Sequence, residues 1–113
     1  MEDENTQKNI AQLQALEQNI QNVVMQKQTF QQQTVEIDNA LDEISSSKGA
    51  VYKIIGNIMV STEKDHISKE LNSKKEIISL RIKSIEKQES QLKEKASSLQ
   101  SKVLSQIKTK GDD

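Results

Sequence analysis

The sequence predicts an all-α-dominated fold: a long antiparallel two-helix coiled coil, with one short β-hairpin between the helices that oligomerises. Three observations carry this. Two stretches repeat apolar residues at coiled-coil spacing, and a β-rich segment broken by Gly56-Asn57 lies between them. The composition, with no proline and 2% aromatic residues, suits long helices better than a compact globule.

In the first arm, alternating three- and four-residue steps give Leu13, Leu16, Ile20, Val23, Lys27, Phe30, Thr34, Ile37, Leu41 and Ile44. Such steps keep one narrow stripe on one side of a helix, the seam of a coiled coil. The rest of the arm is rich in Gln and Asn. In the second arm Leu71, Ile78, Ile85, Leu92 and Leu99 recur every heptad, with Ile67 a turn earlier. Their companions, Lys75, Ile82, Glu89, Ala96 and Val103, are only partly apolar. Lys and Glu on the other faces allow helix-surface ion pairs.

Ser45-Ser46-Ser47-Lys48-Gly49 ends the first helix, because serines weaken a helix and glycine terminates one. Between Ala50 and Ser61 the helical period is lost, and two β-rich runs flank Gly56-Asn57. Glycine at the first central position suits a two-residue type II′ turn. Thr62 is expected to cap the second helix, with Asp65 as a weak capping-box partner. The expected elements are helices near 6–46 and 62–109 and strands near 50–55 and 58–61. Functionally the chain divides into a coil at 1–47, a hairpin at 48–61 and a coil at 62–113, within one domain at 1–113.

Folding back at the hairpin matches apolar to apolar with Leu41 opposite Ile67, Ile37 opposite Leu71, Phe30 opposite Ile78, Val23 opposite Ile85 and Leu16 opposite Leu92. Charge favours the same pairing. Residues 1–48 carry eight acidic and three basic side chains, a balance of −5; residues 49–113 carry nine and thirteen, a balance of +4.

The hairpin argues for assembly. Ile55, Ile58, Val51 and Val60 fall on one face, and Tyr52, Ile54 and Met59 on the other. An isolated two-stranded hairpin is marginal in water, and two apolar faces with open edges demand cover. The arms cover part of one face only, so other subunits' hairpins must supply the rest. Val51, Tyr52, Ile54, Ile55, Ile58, Met59 and Val60 are therefore the candidate oligomer interface.

No catalytic constellation is visible. His66 is the single histidine and reads as an exposed helix residue. The three glycines form no phosphate loop. The absence of cysteine excludes disulfides and thiolate metal sites. No cofactor or metal is expected. Acidic residues interrupt the lysines of the second arm and no stacking aromatic is near, which argues against nucleic acid. The acidic N-terminus is unlike a secretory signal, and no apolar run approaches the ~18–20 residues of a membrane span. A cytoplasmic protein is expected.

At the far end of the arm Ile10 and Leu13 approach Leu99 and Ala96, and the seam loses a clean partner beyond them: Val103 faces Thr6, and Leu104 and Ile107 lie opposite the polar Glu2-Asp3-Glu4-Asn5. Ile10, Leu13, Val103, Leu104 and Ile107 are thus the apolar residues of the arm tip. They are the candidate contacts for apolar ligands. The residues alone also leave open a structural coiled-coil tether or adaptor, and a helical arm belonging to an enzyme.

Val51-Tyr52-Lys53-Ile54-Ile55-Gly56-Asn57-Ile58-Met59-Val60, set between two coil arms of similar length, resembles the prefoldin family over nearly the whole chain. It resembles the β class, which has one hairpin rather than two. Asn57 stands where members often have proline. The resemblance implies a hexamer, two α and four β subunits in archaea, whose hairpins form a β-barrel platform carrying six coiled-coil arms. It implies an ATP-independent chaperone, not an enzyme: the arm tips bind unfolded polypeptides and pass them to a group II chaperonin. The implied partners are a prefoldin α-type subunit, further β subunits, unfolded clients and that chaperonin.

Overall fold

The computed structural model describes residues 4–111. The order of elements is helix α1 (Glu4–Ser46), strand β1 (Val51–Ile55), strand β2 (Ile58–Thr62) and helix α2 (Lys64–Gly111). Residues up to Lys27 and from Ser84 form one compact unit, and Gln28–Lys83 form another.

The Gln28–Lys83 unit holds the hairpin and the helical segments that flank it. β1 and β2 pair antiparallel from Ile55↔Ile58 to Val51↔Thr62. Gly56 takes a φ of 62°, and no described non-glycine residue has a positive φ. A positive φ at Gly56 and none at Asn57 fit the expected type II′ turn and not type I′, which needs a positive φ at both central residues. Thr62 does not cap α2. It forms the last rung with Val51, and Glu63 takes the capping position, its carbonyl accepting the Ile67 N–H at 3.0 Å. The fifth rung commits Thr62 to the sheet, so α2 begins at Lys64.

α1 ends as its serines predict. The Ser46 hydroxyl donates back to the carbonyl of Asp42 at 3.1 Å, and the Ser47 N–H closes a tight turn onto Ile44 at 3.2 Å. The last turn of α1 has no basic residue. Lys64, at the start of α2, supplies the cation instead, donating to the carbonyls of Ser45 (3.1 Å) and Ser47 (3.0 Å). A cation there meets the negative end of the helix dipole.

In this unit Phe30, Thr34, Ile37, Leu41 and Ile44 of α1 are half-buried, as are Leu71, Lys75, Ile78 and Ile82 of α2, and Ile67 is buried. The Arg81 guanidinium lies 5.8 Å from the Phe30 ring centroid. Lys75 Nζ meets Asp38 Oδ1 at 2.6 Å.

The other unit has a seam of its own. Leu13, Leu16, Ile20, Val23 and Lys27 are half-buried, as are Leu92, Ala96 and Leu99, while Ile85, Glu89 and Val103 are buried. Asn9 Nδ2 donates to Gln106 Oε1 at 3.3 Å. Every seam position named from the sequence in both arms is thus at least partly covered.

The pairing register differs from the expected one. Asp38–Lys75, Phe30–Arg81, Lys27–Glu89 and Asn9–Gln106 all set the α2 partner roughly one to two helical turns farther along than the apolar match does. The turn is the cause. The strands fold about Gly56-Asn57, and Asp38 and Lys75 are equidistant from it in sequence. The helices inherit that centre rather than maximising apolar-to-apolar matches.

Candidate functional site

Strand alternation sorts the hairpin into two faces. Val51, Lys53, Ile55, Ile58, Val60 and Thr62 share one; Tyr52, Ile54, Met59 and Ser61 share the other. Only the base of the first face is sheltered: Val51, Lys53 and Thr62 are half-buried. Lys53 donates from this face to Glu70 of α2. That bond is the main cause of the lowered pKa of the Glu70 carboxyl. It braces β1 against α2. Sequence reasoning did not assign this pair; alternation puts Lys53 on the face of Val51 and Ile55, but does not say which face meets the helices.

Beyond that brace the hairpin is bare. Ile55 is 56% exposed and Ile58 66%; on the other face Tyr52 is 56%, Ile54 69% and Met59 65% exposed. Val60 is also exposed. Both faces therefore present large apolar side chains, and the two-stranded sheet leaves the outer edge of each strand unpaired among the described residues. Six of the seven candidate interface residues are exposed; Val51 alone is half-covered.

The candidate contacts at the arm end divide. Leu104 is 59% and Ile107 47% exposed, whereas Val103 is only 6% exposed. Ile10 and Leu13 are half-buried. Val103 continues the seam row, and Ile10 and Leu13 are partly covered, as their approach to the second helix leads one to expect. On α2, Ile77 and Leu80 are also exposed; they lie off both seam rows, and the periodicity that found the seam passed over them.

Among the described residues no group of three or more His, Cys, Asp or Glu side chains is placed to hold a metal. His66 is exposed. No described helix is long and apolar enough to cross a membrane.

A two-helix coil carrying one bare hairpin is a specific architecture, and comparison places it. A family model described as prefoldin subunit matches residues 7–110. The chain belongs to the prefoldin family. It is 38% identical over 101 residues to the prefoldin subunit beta of Thermococcus kodakarensis, covering 88% of this chain and 86% of that protein. It is 34% identical over 99 residues to that of Saccharolobus islandicus, covering 86% and 79%. The crystal structure of the prefoldin beta subunit from Thermococcus strain KS-1 superposes with a TM-score of 0.84 at 37% identity, over 91% of this chain and 92% of that one. The fold is therefore that of a prefoldin beta subunit, whose hairpin joins a β-barrel platform on oligomerisation. Prefoldin is a chaperone family rather than an enzyme family, and its beta subunits form a complex with other prefoldin subunits.

Proposed function

We propose that this chain is a β-type subunit of a cytoplasmic hetero-hexameric prefoldin that holds unfolded polypeptides without nucleotide and passes them to a group II chaperonin. The bare hairpin is the observation that carries the reading. Apolar residues exposed on both faces, next to unpaired edges, are what a strand-adding subunit offers its neighbours. Val51, Tyr52, Ile54, Ile55, Ile58, Met59 and Val60 then pack against the hairpins of an α-type subunit and further β subunits, two α and four β in an archaeal assembly. The whole of 1–113 acts as one prefoldin-like domain, with its coils at 1–47 and 62–113 and its hairpin at 48–61.

Clients are held at the ends of the arms. Leu104 and Ile107 supply the open apolar surface, and Ile10, Leu13 and Val103 lie in the seam from which they project. Exposed apolar area of this kind binds unrelated unfolded chains at about 25 cal/mol per Å² covered. Several arms on one platform multiply a weak contact by avidity.

The test mixes the chain with a prefoldin α-type subunit and measures native mass, then follows the aggregation of a chemically denatured test protein. A hexamer that suppresses aggregation without ATP is the expected result. A hexamer that fails to suppress it leaves a structural tether or adaptor, and no assembly at all rejects the subunit reading.

A further inference from the structure

We infer that Lys27 and Glu89 fix the register of the arm, acting as a charged layer that only one alignment of the two helices can satisfy. Both are seam residues. Their side chains retain 21% and 11% exposure, and Lys27 Nζ meets Glu89 Oε1 at 2.7 Å. The second carboxylate oxygen, Oε2, accepts from Lys93 one turn on at 3.1 Å. The carboxylate thus has a lysine on each oxygen.

The neighbouring layers are interchangeable by comparison. Leu16, Ile20 and Val23 on α1, and Ile85, Leu92, Ala96 and Leu99 on α2, are aliphatic. A seam of such residues tolerates a slip of one heptad, because each layer finds another of similar character. The charged layer does not. A slip in one direction sets Lys27 against Ala96, and in the other sets Glu89 against Ile20. Either leaves the part-buried Lys27 without its acid and Glu89 with Lys93 alone, and a part-buried charge that loses its partner is the costly arrangement. Polar residues at single seam positions are known to select register and strand number at the expense of stability. The tight turn and short connectors anchor the two helices near the hairpin; Lys27 and Glu89 hold the alignment far out along the arm. The inference does not depend on where clients bind.

The chain has no cysteine, so a pair introduced by Asn9→Cys and Gln106→Cys reports the register uniquely, these side chains being in contact in the observed alignment. The full chain carrying this pair is oxidised mildly, and the intrachain cross-link is counted. The same measurement follows in a Lys27→Leu/Glu89→Leu background and in the charge swap Lys27→Glu/Glu89→Lys. In the leucine background, cross-linking is expected to fall several-fold and interchain products to appear, while Tm holds or rises. The swap is expected to restore the cross-link, since Lys93 is 60% exposed and free to swing away from a lysine at 89. Unchanged cross-linking in the leucine background overturns the inference. So does a Tm that falls together with the cross-link, which marks the pair as a simple stabiliser. A swap that fails to restore the cross-link overturns it too, because the effect then comes from packing rather than from charge.

Discussion

Ile58→Asp separates folding from assembly. Ile58 sits on the rung next to the turn, paired with Ile55, and is 66% exposed in the isolated chain. Burying a whole isoleucine side chain contributes about 1.5–3 kcal/mol, so the two thirds still open are worth about 1–2 kcal/mol to an interface. Aspartate forfeits that and adds a charge. Burying the ion outright costs more than protonating it, and raising the pKa from about 3.9 to 7 takes about 4 kcal/mol at 1.36 kcal/mol per unit. The total is about 5–6 kcal/mol, or roughly four orders of magnitude in a dissociation constant. The helices should be untouched, because Ile58 belongs to neither seam. Sedimentation at low micromolar concentration should show the variant dissociated at pH 7, with the helical circular dichroism of the parent chain. Near pH 4 the charge is removed and assembly should partly return; Ile58→Asn should show no such recovery. An Ile58→Asp chain fully assembled at pH 7 would refute the placement of the interface.

Replacing Leu104 and Ile107 with serine should leave native mass unchanged and weaken the protection of a denatured test protein several-fold; both are read on one sample, and unaltered protection moves client binding elsewhere. Gly56→Ala puts a Cβ on a residue at φ 62°, costing about 1–2 kcal/mol, so the assembly midpoint in urea should fall while helix content in its absence stays constant. The Lys27 hydrogen bond, then that of Lys93, holds the Glu89 carboxyl below its ordinary value. Its contribution is therefore present above that ordinary value and lost as pH falls through the lowered one: Tm should drop more steeply in acid for the parent than for Glu89→Gln. The same bond raises Lys27 above 10.5, so a mirror loss should appear only as pH climbs past that value. Tyr52 is the single tyrosine, the chain lacks tryptophan, and it lies on the exposed hairpin face. Its fluorescence should change with protein concentration as subunits associate while the helical signal of the arms does not, and signals that move together would contradict independent arms.

The faces of this molecule were legible in its sequence, and the pairing was not. Heptad spacing reports which side of a helix is covered, because the helical period converts position into direction. Hence Lys27, Thr34, Lys75 and Glu89 were correctly set in the seam in spite of their polarity. Spacing says nothing about which turn of one helix meets which turn of the other. Aliphatic layers match each other in several alignments, so choosing the best apolar overlap misplaced Phe30 against Ile78. Charge offered a further cue to the alignment: a seam lysine on each helix, at 27 and 75, each with an acid across from it, Glu89 and Asp38. The hairpin was easier, since a two-residue turn fixes the register of both strands by itself. At the arm end the same rule holds: Val103, on the seam row, is covered, and Leu104, one residue on and off that row, is open.

The same contrast between the two parts bears on how assembly is powered. The arms cover their own seams within one chain. The hairpin has five-residue strands, little shelter beyond Val51, Lys53 and Thr62, and most of its apolar surface open. Two strands of that length are marginal in water, and here the Lys53–Glu70 brace and the Lys64 cap hold only their base. Stability must then come from the neighbouring hairpins, and ordering of the strands is coupled to association. A hairpin that was stable alone would need its faces covered within the chain, which would remove the surface that its neighbours bind. Marginal stability of the hairpin is thus a consequence of its role as an interface. Its order depends on subunit concentration by mass action, while the arms, closed within the chain, hold their pairing whether or not the platform has formed.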